Sequence, residues 1–284
     1  MPFGNVFEKI NSEYYQLTGA EKKVADFAVH HRKRTQYMSI SELAEEAGVA
    51  EATVSRFCRR LGYKGYNAFK LAVANSTAGR EEGGALAGEV LPGDSIGELC
   101  QKLYAASRDA LRETLELIRP EQVRMAASLL AGAGKVLCMG QGGSMLLAHE
   151  AAHLFTTALP NYYAVGDAHL QAMSIAQMDP GDAVLYFSYS GSTRELSENL
   201  KLVRQRKGRS VLITRFPKSP GAVYADAVLQ CGSTEAPVQG GSVAARMAQL
   251  YLLDVLFREV CRRDLEGCRR RREAVAGAIS NLHL

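Results

Sequence analysis

Between residues 136 and 229 the chain carries five short apolar runs, Val136–Met139, Tyr162–Val165, Ala183–Phe187, Val211–Thr214 and Ala227–Leu229, separated by helix-length segments. Each run is continuous rather than alternating, which is the pattern of a strand covered on both faces. Turn residues set off the runs, most clearly Asp179-Pro180-Gly181-Asp182. Strands of this kind, alternating with helices, predict a parallel sheet held between two helix layers. A long helix from Ser242 to about Val260 closes that domain, and the tail with Arg269, Arg270, Arg271 and Arg272 reads as a solvated helix face.

The N-terminal part follows a different period. Ser39 stands three residues before Glu42, the spacing at which a serine caps a helix start and the glutamate caps back. Leu43, Ala44 and Ala47 then share a face, and Gly48 follows where a helix is most easily ended. A second helix runs through Val54, Phe57, Cys58 and Leu61. Ala44, Gly48 and Val54 have the spacing of a helix-turn-helix, whose second helix lies in the DNA major groove. Thr53, Ser55, Arg56, Arg59, Arg60 and, just beyond, Lys64 are the candidate DNA contacts, since hydroxyls and guanidinium groups reach phosphates and base edges. An ordinary helical hairpin with a solvated basic face is the competing reading.

Thr18 and Glu21 repeat the capping-box spacing ahead of a support helix ending near His30, and a further helix carries Phe69 and Val73. The run His30-His31-Arg32-Lys33-Arg34 fits a solvated helix end as well as a phosphate contact. Tyr63 reads as a packing residue.

At 284 residues the chain should hold about two domains. Residues 1 to 76 contain eleven Lys and Arg against eight Asp and Glu, so most of the net charge of +4 lies there. From Ser76 to Asp94 glycines, Glu81-Glu82 and Pro92 mark a linker. The expected division is therefore a helix-turn-helix domain at 1–77, a linker at 78–94 and an α/β domain at 95–284, opening with helices over Ser95–Ile118 and Pro120–Leu130. The six cysteines are scattered and have no clustered histidine partners, which indicates neither a metal site nor a disulfide framework. Met1 to Tyr15 is too polar for a signal peptide, and no apolar run has membrane-spanning length, so the cytoplasm is the expected location.

In a parallel sheet, ligands gather at the carboxyl ends of the strands. The loop after Met139 reads Gly140-Gln141-Gly142-Gly143-Ser144, which resembles the start of a dinucleotide fingerprint but has Met145 where the third glycine belongs. The loop after Phe187 reads Ser188-Tyr189-Ser190-Gly191-Ser192-Thr193 and runs into a helix. Hydroxyls and free backbone N–H groups at a helix N-terminus suit a phosphate monoester. Ser192 and Glu195 have capping-box spacing, so a serine-rich capping turn is the plainer alternative. A nucleophile elbow is excluded, because Ser188 and Ser192 flank Ser190 where that motif needs glycines.

Gly142 and Ser144, with Ser188, Ser190, Gly191 and Thr193, resemble the ligand loops of the sugar isomerase (SIS) domain. The stretch Ser39 to Lys70, including Ala52-Thr53-Val54-Ser55-Arg56-Phe57-Cys58-Arg59-Arg60-Leu61-Gly62, resembles the helix-turn-helix of the RpiR family of bacterial transcription regulators, which joins these two domains in this order. The resemblance implies an all-α reading domain and an α/β SIS domain with a five-stranded parallel sheet in three layers. It implies that Ser144, Ser188, Ser190 and Thr193 hold the phosphate of a sugar phosphate, with His169 either touching the sugar or serving as a satisfied structural histidine, and that no cofactor or metal takes part. Duplex DNA, a phosphosugar effector and further copies of the chain, as a dimer or tetramer, are the implied partners. A phosphosugar isomerase or lyase on the same fold is the alternative, with Glu235 or His169 as its base. Ala50 departs from the family, in which a serine often caps the second helix.

Overall fold

The computed structural model describes residues 5–78, 90, 93–191, 193–217, 219–232 and 242–282. Contacts divide these into two units, residues 5–106 and residues 107–232 with 242–282.

The first unit is helical: α1 (Val6–Glu13), α2 (Gly19–His30), α3 (Arg32–Thr35), α4 (Ile40–Glu46), α5 (Glu51–Arg60) and α6 (Tyr66–Ala78), with one 3₁₀ turn at Tyr14–Gln16. Both expected capping boxes form, Thr18 with Glu21 on α2 and Ser39 with Glu42 on α4. Helices α4 and α5 end alike. Gly48 and Gly62 take φ of 62° and 77°, and the next N–H reaches back to the last turn, Val49 to the Ala44 carbonyl at 2.9 Å and Tyr63 to the Cys58 carbonyl at 3.0 Å. These glycine caps turn the chain sharply enough for Val24, Leu43, Val54, Phe57, Leu61 and Phe69 to share one core. Helix α1 joins that core through Val6, Phe7 and Ile10. Tyr63 packs edge-on against Phe69, as expected, and the Tyr66 hydroxyl donates to the Met38 carbonyl at 2.7 Å.

The boundary between units falls within α7 (Ile96–Leu117). The second unit continues through α8 (Pro120–Ala131), β1 (Val136–Gly140), α9 (Gly143–Thr156), β2 (Tyr162–Ala164), α10 (Ala168–Ala176), β3 (Ala183–Phe187), α11 (Arg194–Gln205), β4 (Arg209–Thr214), β5 (Ala227–Gln230), α12 (Val243–Cys261) and α13 (Leu265–Ser280). All five strands are parallel, in the order β2-β1-β3-β4-β5. Alternate residues face opposite layers. Cys138, Leu185, Phe187 and Ile213 pack with residues of α8, α9 and α12, whereas Leu137, Met139, Tyr186 and Leu212 pack with those of α10 and α11. Burial on both sides is why the strands appear as unbroken apolar runs.

Gly48 tests the turn directly. Its positive φ leaves no side chain at ease, so Gly48→Ala should cost about 1–2 kcal/mol and lower the urea midpoint of the helical unit. An unchanged midpoint would show that the turn does not depend on the left-handed residue.

Candidate functional site

β1 lies between β2 and β3, so the connections leaving β1 and β3 diverge and open a crevice at their carboxyl ends. Gly140 pairs in register with Phe187, which places the 141–144 and 188–193 loops side by side. Glycine shapes both loops. A Cβ on Gly140 would lie 2.6 Å from the Ser144 carbonyl oxygen, and Gly142 has φ 54° at the uncapped start of α9. Gly191 has φ 60°, and a Cβ there would lie 2.0 Å from the Ser219 Oγ.

The hydroxyls of these loops are not equivalent. Ser188 is buried, and its Oγ accepts the Gly191 N–H at 3.2 Å, which fixes the loop from within. Ser144 and Ser190 are half-buried. Thr193 precedes α11 without capping it, and its Oγ1 is buried with no hydrogen-bond partner among the described residues; the Ser219 Oγ, under Gly191, is in the same state. Two buried hydroxyls without partners at one loop are costly unless something supplies the partner. Ser192 and Glu235 lie outside the described residues.

A residue that the sequence did not flag supports the crevice from below. Gln171, wholly buried on α10, donates to the carbonyls of Gly140 at 3.0 Å and Val165 at 2.8 Å. Its own oxygen accepts from Gln141 at 2.8 Å, Asn199 at 3.1 Å and the Tyr186 hydroxyl at 3.4 Å. Burial raises the Tyr186 phenol, against hydrogen bonds from Gln141 and Asn199, so it stays a donor. One amide thus ties β1, β3, α10 and α11 together at the crevice floor. Asp167 caps α10 by accepting the His169 and Leu170 N–H groups at 2.9 and 3.0 Å, and His169 is exposed. Arg246, in the first turn of α12, also approaches the crevice, with Nη1 3.7 Å from where a Gly143 Cβ would stand.

On the helical unit, Arg56, Arg59 and Lys64 are exposed and Ser55 is half-buried. Thr53 is buried, and its Oγ1 accepts from Arg56 at 3.4 Å. Arg60 is engaged by Glu21 at 3.2 Å. Ala50 gives α5 no side-chain cap; instead the Ser41 hydroxyl donates to the Glu51 carboxylate, joining the first turn of α5 to α4. Burial tends to raise the Glu21 carboxyl, but the Thr18 N–H and hydroxyl, with Arg60 and Arg56, outweigh it and hold the group below its ordinary 4.5.

Comparisons with known proteins agree with the two-unit fold. The model of the helix-turn-helix domain of the rpiR family matches residues 4–80, and that of the SIS domain matches residues 129–258. An HTH-type transcriptional regulator of Haemophilus influenzae is 32% identical over 256 residues, 89% of either chain. The Vibrio vulnificus NanR protein complexed with ManNAc-6P is 26% identical, with a TM-score of 0.63 over 98% of this chain and 99% of that one. The sugar isomerase domain of an RpiR transcription factor from Sphaerobacter thermophilus is 21% identical and matches in fold, with a TM-score of 0.57 over 63% of this chain and 98% of that one. Among the described residues, no helix is long and apolar enough to cross a membrane, and no three His, Cys, Asp or Glu side chains gather as metal ligands.

Two outcomes follow. Gln171→Leu, which strands buried carbonyls and amides together, should destabilise the sheet unit by about 2–4 kcal/mol in urea unfolding; a near-neutral result would deny the hub. Because the Glu21 carboxyl is depressed in the folded chain, its stabilisation is present above pH 4.5 and is lost as pH falls through the folded value. Acid titration of stability should therefore be shallower in Glu21→Gln than in the wild type, and superimposable curves would contradict the assignment.

Proposed function

Since the chain belongs to the rpiR family of helix-turn-helix transcription regulators, we propose that its α/β unit senses a phosphorylated sugar and thereby sets how firmly α5 holds duplex DNA. The observation that carries this reading is the Thr193 hydroxyl in the loop after β3, buried and without a hydrogen-bond partner among the described residues. A phosphoryl oxygen supplies the acceptor it lacks. Gly142, Ser144, Ser190 and the N-termini of α9 and α11 add neutral donors around the same position, while Ser188 and Gly191 hold the loop in shape. His169, which is exposed, faces the sugar.

In this reading residues 1–77 bind DNA, 78–94 link the domains and 95–284 hold the effector. Arg56 and Arg59 contact the duplex from α5, with Ser55 and Lys64 beside them. Thr53, being buried, positions Arg56. The working form is a homodimer or homotetramer in the cytoplasm, where two reading helices address half-sites about one helical turn apart, or a multiple. The effector favours one arrangement of the subunits and is not turned over. Such coupling is worth about 1–3 kcal/mol.

A thermal-shift screen against sugar phosphates, N-acetylmannosamine 6-phosphate among them, tests the proposal, because a ligand selective for the folded chain raises Tm with occupancy. We expect at least one to do so, Ser190→Ala to abolish the shift, and Arg56→Ala to keep it while binding DNA more weakly. A shift that survives Ser190→Ala would displace the crevice. Conversion of the bound sugar phosphate on prolonged incubation would favour an isomerase or lyase.

A further inference from the structure

Among the cations of α5, Arg60 has an unusual partner. Its Nη1 lies 3.2 Å from Glu21 Oε2, and the Glu21 side chain is only 8% exposed whereas that of Arg60 is 41% exposed. The same carboxylate oxygen receives the Thr18 N–H and the Thr18 hydroxyl, each at 2.8 Å. Glu21 therefore cannot swing out after Arg60, because the start of α2 holds it. For Arg60 to reach a phosphate, the ion pair must break and leave a carboxylate nine-tenths buried without its ion-pair partner, an exchange that disfavours the move.

We infer that Glu21 withholds Arg60 from the DNA backbone and so acts as a positioning residue that limits the sequence-independent affinity of the reading helix. The inference rests on the DNA-binding reading of α5. Non-specific affinity grows with each phosphate a cation neutralises, whereas base readout does not depend on that count. Arg56 is aligned on Thr53 Oγ1, and Arg59 is exposed. These two remain for the duplex while the third guanidinium braces α5 against α2. Removing one phosphate contact lowers binding to operator and bulk DNA alike and leaves base contacts intact, so the carboxylate sets the overall affinity and salt dependence of the head.

The test uses the full chain and a fluorescein-labelled random-sequence duplex, with affinity measured by anisotropy from 50 to 200 mM KCl. Glu21→Gln keeps acceptor and donor capacity for Thr18 but removes the charge that holds Arg60. It should tighten binding roughly fivefold to tenfold near 0.1 M salt and steepen the slope of log K against log salt by about one. Glu21→Gln/Arg60→Gln should lose both gains, and Arg59→Gln should make the slope shallower by about one. Glu8→Gln, which removes the same charge from an exposed site, controls for net charge and should leave the slope near that of the wild type. Circular dichroism checks that each variant is folded. A Glu21→Gln slope equal to the wild type, or a gain no larger than that of Glu8→Gln, would overturn the inference. A wild-type chain with no affinity for the duplex at 50 mM KCl would instead remove the DNA-binding reading itself.

Discussion

A polar group taken out of water must find a partner, and much of this chain follows from where that demand is met and where it is not. It is met at the floor of the crevice, where the Gln171 amide satisfies two carbonyls and accepts from three donors. It is met again at Glu21, whose carboxylate serves the start of α2 and the end of α5 together. Among the described residues it is unmet at Thr193 and Ser219, whose buried hydroxyls have no partner there. The satisfied groups are framework. The orphaned hydroxyl between them, on a glycine-shaped loop, is where the proposed effector would supply the missing partner.

The parallel sheet decides where that site falls. With β1 flanked by β2 and β3, the chain leaves the sheet in opposite directions on either side of one gap, and the helices that follow begin at its edge. Neutral donors at such an edge suit a phosphate, because they stabilise negative charge without fixing a counter-charge in the empty crevice. The reading head obeys the same economy of charge. In the proposed reading, the arginine paired with the buried Glu21 braces α5 against α2, and Arg56 and Arg59 remain for the duplex.

Much of this was legible in the chain itself. The capping boxes at Thr18 and Ser39, the turn at Gly48 and the five apolar runs depend on local chemistry, and each appears where residue type and spacing put it. Helix α1 was not read, because Val6, Phe7 and Ile10 are interleaved with Glu8, Lys9 and Asn11 in a stretch too short to show a period. The role of Gln171 was hidden for a different reason. A glutamine carries no sign of burial, and its partners come from positions 140, 141, 165, 186 and 199. Arg60 was visible as a basic residue on the presumed groove helix, but the carboxylate that occupies it lies 39 residues earlier. Long-range pairings between polar side chains leave no periodic trace, so residue type alone does not reveal them.

The account stands on communication between an anion-binding crevice and a DNA-reading helix, and linkage supplies its most direct measurement. DNA affinity should be determined with and without a saturating sugar phosphate, and the affinity for that sugar phosphate with and without saturating DNA. The account requires the two ratios to be equal and to differ from one, by roughly 5- to 150-fold for coupling of ordinary strength. Ratios of one in both directions, in a chain that binds both partners, would mean that the two units act independently, and the regulatory reading would fail.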